Sequence, residues 1–188
     1  MRVIAGSARG VRLRVPRGLR VRPTGARLRT SLFSILGERV GGARVADLFA
    51  GSGAFGIEAL SRGAAFCCFV EALPVAVQAI RANLEATRLA ERAAVIRGDA
   101  FRTLDRLAEC GPFDLVFLDP PYRYFTRPGR LLELLEALGG SSYLADEGLV
   151  VVQHDKRTTL PERVRVLSRC DLRNYGNTSV TFLARTLS

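Results

Sequence analysis

The sequence has almost no lysine. Lys156 is its single example among 28 basic residues, so arginine is the default cation and no one guanidinium stands out by type. Paired cysteines are missing too. Cys67, Cys68, Cys110 and Cys170 include no Cys-x-x-Cys, and the one histidine, His154, is remote from all of them. That spacing excludes zinc-finger ligation. It leaves reduced, structural thiols, with Cys67-Cys68 acting as small hydrophobes inside an apolar run. No apolar stretch approaches the ~18 residues of a membrane span. Met1-Arg2-Val3-Ile4-Ala5-Gly6 lacks the apolar core and cleavage site of a signal peptide. These absences predict a cytoplasmic protein with no membrane partner and no metal. Low-complexity tracts, repeats and linkers are absent as well. The 188 residues suffice for one well-buried domain and are short for two.

Acid is missing from one region. Residues 1–30 hold nine arginines and no Asp or Glu, so they carry +9 of the formal net charge of +10. A neutral body with a cationic arm is the electrostatic footprint of a polyanion partner. Residues 2–10 and 11–15 read as two short strands. In the second, Val11, Leu13 and Val15 alternate with Arg12 and Arg14, which sets the arginines on one face. Such a row suits phosphate contact. The alternative is a solvated edge ribbon whose charges discourage aggregation. The candidate nucleic-acid contacts are Arg9, Arg12, Arg14, Arg22, Arg27 and Arg29. A helix is expected next, capped by Thr24, with Leu28, Leu32, Ile35 and Leu36 as its apolar stripe and Gly41-Gly42 as its end.

What is present is a series of apolar strands that each run into an acid. Residues 43–50 lead into Gly51-Ser52-Gly53-Ala54-Phe55-Gly56 and then a helix over residues 57–62. Strand, G-x-G-x-x-G turn and helix, in that order, form a nucleotide-cofactor signature. The glycines let backbone approach a ligand, and the helix start favours an anion. Asp47 would repel a pyrophosphate there but suits a cationic ligand. S-adenosylmethionine carries an ammonium, a sulfonium, a carboxylate and no phosphate, so Asp47 favours it over NAD; the alternative is a loop brace. Residues 64–71 form a second strand ending in Glu71, placed to accept from both ribose hydroxyls. A helix over residues 74–86 follows, with Pro74 at its start. A third strand, residues 93–100, ends beside Asp99, suited to an adenine amino group, and a helix through Leu104 and Leu107 comes next.

The fourth strand, Phe113-Asp114-Leu115-Val116-Phe117-Leu118, stops at Asp119-Pro120-Pro121-Tyr122. Neither proline can donate to a ladder, so the strand must end there, and Pro121 holds Pro120 extended. The turn offers a carboxylate, prolyl carbonyls and an aromatic face at the carboxyl end of a strand, where open α/β sheets bind ligands. A carboxylate beside a carbonyl matches the two donors of an exocyclic NH2 group, and Tyr122 matches a planar ring. Gripping both N–H bonds helps localise the nitrogen lone pair and aim it. The alternative is that Asp119 caps a helix and Tyr122 packs.

Residues 124–129 read as a mobile loop, with Arg123, Arg127 and Arg130 beside the site. An amphipathic helix over residues 131–138 and a fifth strand over residues 148–154 follow. Residues 164–167 and 179–183 read as a terminal antiparallel pair joined through Tyr175-Gly176-Asn177. His154, alone at the rim, reads as structural; methyl transfer from a sulfonium needs no base before the methyl moves.

Taken together, these motifs resemble the RsmD family of bacterial 16S ribosomal RNA guanine-N2 methyltransferases. The similarity runs from Arg2-Val3-Ile4-Ala5-Gly6 to Tyr175-Gly176-Asn177-Thr178. Its specific matches are Arg22-Pro23-Thr24, Leu32-Phe33-Ser34-Ile35-Leu36, the run from Asp47 through Gly56 to Ala64, and Asp119-Pro120-Pro121-Tyr122. The resemblance implies a class I S-adenosylmethionine-dependent methyltransferase fold: a mostly parallel seven-stranded sheet with a terminal antiparallel hairpin, plus residues 1–30 as a basic RNA-binding extension of one domain. It implies 16S rRNA in the small ribosomal subunit or its precursor as partner. Asp119, Pro120 and Tyr122 would be catalytic. Asp47, Ala50, Gly51, Gly53, Glu71, Asp99 and Ala100 would hold the cofactor. The family usually has Glu where Thr30 and Gln153 stand here.

Four other readings compete. A DNA adenine-N6 methyltransferase can use the same turn. A protein-glutamine methyltransferase typically has Asn at the position of Asp119. A non-catalytic RNA-binding assembly factor could keep the fold. A nicotinamide dehydrogenase is disfavoured by Asp47 and the acid at each strand end.

Overall fold

Apolar, β-branched runs free of helix-period spacing pair side by side as β1 (Arg44–Leu48), β2 (Phe66–Glu71), β3 (Ala93–Arg97), β4 (Phe113–Leu118) and β5 (Leu144–Asp155). The computed structural model describes residues 1–16, 25–121, 123–126, 128–140 and 142–186. Arg22, Thr24, Tyr122 and Arg127, all singled out above, lie outside them. Three further strands, β6 (Arg163–Val164), β7 (Leu167–Tyr175) and β8 (Thr178–Arg185), complete one sheet of order β3-β2-β1-β4-β5-β8-β7-β6. The β3 to β5 portion is parallel, and β8, β7 and β6 add antiparallel. Eight strands stand among the described residues where seven are expected, the two-residue β6 lying at the edge.

Both faces of the parallel strands are covered, which is why they read as continuous apolar runs. Val45, Cys67, Phe69, Leu115 and Phe117 point to one face. Ala46, Leu48, Cys68, Val70, Val116 and Leu118 point to the other. On the first face lie α1 (Gly25–Leu36), α2 (Ala54–Ser61) and α3 (Pro74–Thr87), through Leu28, Leu32, Phe33, Ile57, Leu60 and Ile80. On the second lie α4 (Leu104–Ala108) and, beyond the short α5 (Arg123–Thr126), α6 (Pro128–Leu138), through Leu107, Leu131, Leu134, Leu135 and Leu138. Truncating one of these fully buried leucines to Ala costs about 2–5 kcal/mol.

The arm is part of the first core. Val3, Ala8 and Leu13 are buried in it. Glu58 of α2 accepts from the Ile4 and Ala5 amides at 2.8 and 3.0 Å and pairs with Arg62 at 2.8 Å. The Ser61 hydroxyl accepts from the Ala8 amide and donates to the Ala5 carbonyl. Asn83 of α3 accepts from the Arg14 amide at 2.7 Å while its amide group donates to the carbonyls of Arg14 and Ser52. These acceptors and donors hold an acid-free, arginine-rich segment against the body through its backbone. The Arg9, Arg12 and Arg14 side chains remain available to solvent.

Five expectations are corrected. The arm forms a single bridge, Arg2 to Arg12, rather than two strands: Val3, Gly10 and Leu13 make backbone hydrogen bonds within the arm, while the Ile4, Ala5 and Arg14 amides turn to side chains of α2 and α3. Helix α1 ends at Leu36, where Gly37 adopts φ +52°, ahead of Gly41-Gly42. Its buried stripe contains Arg29 and Phe33, whereas Ile35 is 42 % exposed. Residues 124–129 include parts of α5 and α6 rather than a loop. The terminal hairpin is β7 with β8; residues 164–167 straddle the tight turn between β6 and β7, where Arg165 has φ +51°.

Candidate active site

Sheet order decides where the acids meet. The chain leaves β1 for β2 and β3 on one side, then returns to lay β4 on the other side of β1. Asp47 of β1 pairs in register with Phe117 of β4, so Asp119, two residues on, lies just past the end of β1 at the switch in strand order. A cavity of about 790 Å³ opens there, within the usual range for small-molecule sites. Its wall brings together Asp47, Glu71, Asp99, Asp119, Pro120, Ala50, Gly51 and Ala100 from the sequence-derived set. Gly53 sits one step behind, in the turn, with φ +77° and its amide donating to the Ala50 carbonyl.

The acids differ in how they are held. Asp47 is buried at 3 % exposure and accepts from the Gly56 amide at 2.9 Å. Burial pushes its carboxyl up to about 8, opposed by the Gly56 hydrogen bond and reinforced by Asp119 and Glu71 nearby. Loop bracing is therefore part of what Asp47 does, alongside its place in the cavity wall. Glu71 accepts from the Gly51 amide on one oxygen and the Leu73 amide on the other, each at 2.8 Å, tying the glycine turn to β2. Asp99 accepts from the Phe101 amide at 3.0 Å and from the Tyr124 hydroxyl at 3.1 Å. A carboxylate oxygen offers two lone-pair sites, so Glu71 and Asp99 keep acceptor capacity for a ligand. Asp119 is half-buried, Pro120 is buried and Pro121 is exposed, with the Pro121 carbonyl accepting from the Tyr124 amide at 2.9 Å.

Glycines shape the turn. Gly51 has φ +57° and open space where a Cβ would be, so backbone there can approach a ligand. A Cβ on Gly56 would overlap the Phe69 ring and the Cys67 sulfur, so this glycine lets α2 lie close on β2.

Sequence reasoning missed an aromatic cluster. Phe49, between β1 and the glycine turn, has φ +62° and its ring centroid is 5.3 Å from that of Tyr124. Phe101 stacks on Tyr124 at 5.3 Å, and the Arg130 guanidinium lies 4.5 Å over Phe101. A bulky residue at positive φ costs about 1–3 kcal/mol, and such strain clusters at functional sites. The available signal was an aromatic at a strand end directly before a glycine turn. Gln153 of β5 also lines the cavity, while its neighbour His154 points into the sheet, with Nε2 2.8 Å from the Thr181 hydroxyl. Burial lowers the His154 pKa.

Of the arginines expected on phosphate, Arg9, Arg12, Arg14 and Arg27 are exposed. Arg29 is not: at 2 % exposure it lies in the core side of α1 and lines the cavity, which removes it from a surface that meets a polyanion. Among the described residues no cluster of His, Cys, Asp and Glu could hold a metal ion, and no helix is long and apolar enough to cross a membrane.

The parallel sheet, terminal antiparallel hairpin, glycine turn and ring of strand-end acids define the class I methyltransferase fold. The family described as conserved hypothetical protein 95 matches residues 1–184. The chain is 40 % identical over 162 residues to the ribosomal RNA small subunit methyltransferase D of Escherichia coli strain K12, covering 86 % of this chain and 78 % of that protein. This chain belongs to that family, the RsmD family. The solved structure of the Escherichia coli protein yhhF superposes with a TM-score of 0.81 at 35 % identity over 100 % of this chain and 99 % of that one. SMU.776, solved complexed with SAH, shares the fold at a TM-score of 0.67 and 17 % identity, over 87 % of this chain and 50 % of its own.

Proposed function

We propose that this protein transfers a methyl group from S-adenosylmethionine to the exocyclic N2 of a guanine in 16S rRNA, within the small ribosomal subunit or its precursor. The observation that carries the reading is that Asp119-Pro120, the start of the Asp-Pro-Pro-Tyr turn, opens into the same cavity as the glycine turn and three further strand-end acids. Its relative in Escherichia coli, named for ribosomal RNA of the small subunit, supports the substrate class.

The residues present fit the cofactor. The cavity is of suitable size, Gly51 leaves room for close approach, and Glu71 and Asp99 retain acceptor sites for ribose hydroxyls and an adenine amino group. Ala50 and Ala100 give the cavity small apolar walls, and Gly53 keeps the turn tight. Asp47 faces the cationic end. When bound, the cofactor supplies an electrophilic methyl group on a sulfonium sulfur. Asp119 and the Pro120 carbonyl accept the two N2–H bonds and aim the lone pair; Tyr122, by its position in the sequence, stacks on the base. The amine loses its proton after the methyl has moved, so no general base is required. A guanine must leave its stack or sit in a loop to reach this cavity. Arg9, Arg12, Arg14, Arg22 and Arg27 hold phosphates, making residues 1–30 an RNA-binding extension of a methyltransferase domain.

The test offers radiolabelled S-adenosylmethionine with small subunits, naked 16S rRNA and duplex DNA from a host lacking the modification, and identifies the labelled nucleoside by mass spectrometry. N2-methylguanosine in RNA, lost in Asp119→Ala, is the expected result. N6-methyladenine in DNA would overturn the substrate and retain the turn. No transfer despite cofactor binding would favour a non-catalytic assembly role.

A further inference from the structure

Among the described residues Arg29 has no counter-ion in contact. Its Nη2 donates to the Arg2 carbonyl at 3.1 Å and its Nη1 to the Met1 thioether sulfur at 2.9 Å, a weak acceptor. Its Nε is buried and makes no hydrogen bond among the described residues. Glu58 contributes favourable charge through space, but its oxygens are engaged by the Ile4 and Ala5 amides and by Arg62. A guanidinium this deeply buried calls for a desolvated anion as partner. The cavity supplies the place: Arg29 is the one Arg or Lys side chain among its described wall residues, whereas four acids line the strand ends.

The inference rests on the cofactor reading above. In that reading the acids account for the ribose, the adenine and the cationic groups of S-adenosylmethionine, and leave its carboxylate unmatched. We propose that the Arg29 guanidinium receives the carboxylate of the cofactor's amino-acid end, with the spare Nη hydrogens as donors. A planar fork of N–H groups suits a carboxylate in two-point contact. Met1 and Arg2 then act as the back wall that holds the fork, which joins the arm to the cofactor pocket by direct contact.

The test is calorimetric and compares two ligands, S-adenosylmethionine and its decarboxylated analogue, on the full chain. The unmodified protein is expected to prefer the carboxylate-bearing ligand by roughly tenfold to hundredfold, the weight of a charge-assisted hydrogen-bonded contact. Arg29→Gln should abolish the preference by weakening S-adenosylmethionine alone, and Arg29→Lys should restore part of it. Equal affinity of the unmodified protein for both ligands would overturn the proposal and leave the cofactor reading standing, and it needs no variant to fold. Equal weakening of both ligands in Arg29→Gln, with the preference retained, would also overturn it and assign Arg29 to bracing the arm. Binding of neither ligand by the unmodified protein would overturn the cofactor reading and this proposal together.

Discussion

Glu58 and Asp47 are two buried carboxylates with opposite fates. Glu58, 1 % exposed, accepts from two arm amides and from Arg62. Asp47, 3 % exposed, accepts from the Gly56 amide and faces two other acids, and burial pushes it up to about 8. Similar depth therefore says little about role. A buried acid whose oxygens are engaged by its own chain is a fastener. One that faces a cavity among like charges holds acceptor capacity in reserve for a ligand.

The contrast can be broken by substitution. Glu58→Ala strands two half-buried amides and one half of an ion pair, and is expected to cost about 2–4 kcal/mol in urea denaturation; a loss below about 1 kcal/mol would remove the distinction. Asp119→Ala is expected to lower methyl transfer about 100-fold or more with the melting temperature nearly unchanged, read by label incorporation and thermal melts on one preparation. Gly56→Ala, forced against Phe69 and Cys67, should destabilise by about 1–3 kcal/mol.

Asp47→Asn sharpens the comparison through pH. The folded state holds the Asp47 proton up to about 8, against an unfolded value of about 3.9. Stability from this group is thus complete below the unfolded value and is lost as pH rises through the folded one. Paired melts from pH 4 to 9 should find the unmodified protein losing ground to Asp47→Asn across that window; a constant difference would contradict it. The smallest effect belongs to the arm. Arg12→Gln should reduce the salt slope of RNA binding by about 0.7–0.9, and Arg29→Gln should leave it unchanged.

The strand ends were legible because doubly covered parallel strands are unbroken apolar runs, and each run here stops at an acid. The cavity's wall followed from them. Strand β7 was not legible: Arg169, Asp171 and Arg173 carry no mark of burial, and the strand exists because β8 supplies its ladder. The Phe49, Phe101 and Tyr124 cluster comes from three separate connections, so no local period could display it. Arg29 was misread on charge alone. Its spacing held the answer, since it lies four residues before buried Phe33 and beside Leu28 and Leu32 on one helical stripe.

Asn83 clasps the arm at Arg14 and the glycine turn at Ser52 with one side-chain amide. Aspartate there would lose the donor and leucine would lose both functions. A chimera that exchanged arms between relatives would inherit this joint, so residues 1–15 are not a detachable tag. Cutting them off would open the apolar seats of Val3 and Leu13 and strip Asn83 of its bonds to Arg14, leaving only its hold on Ser52.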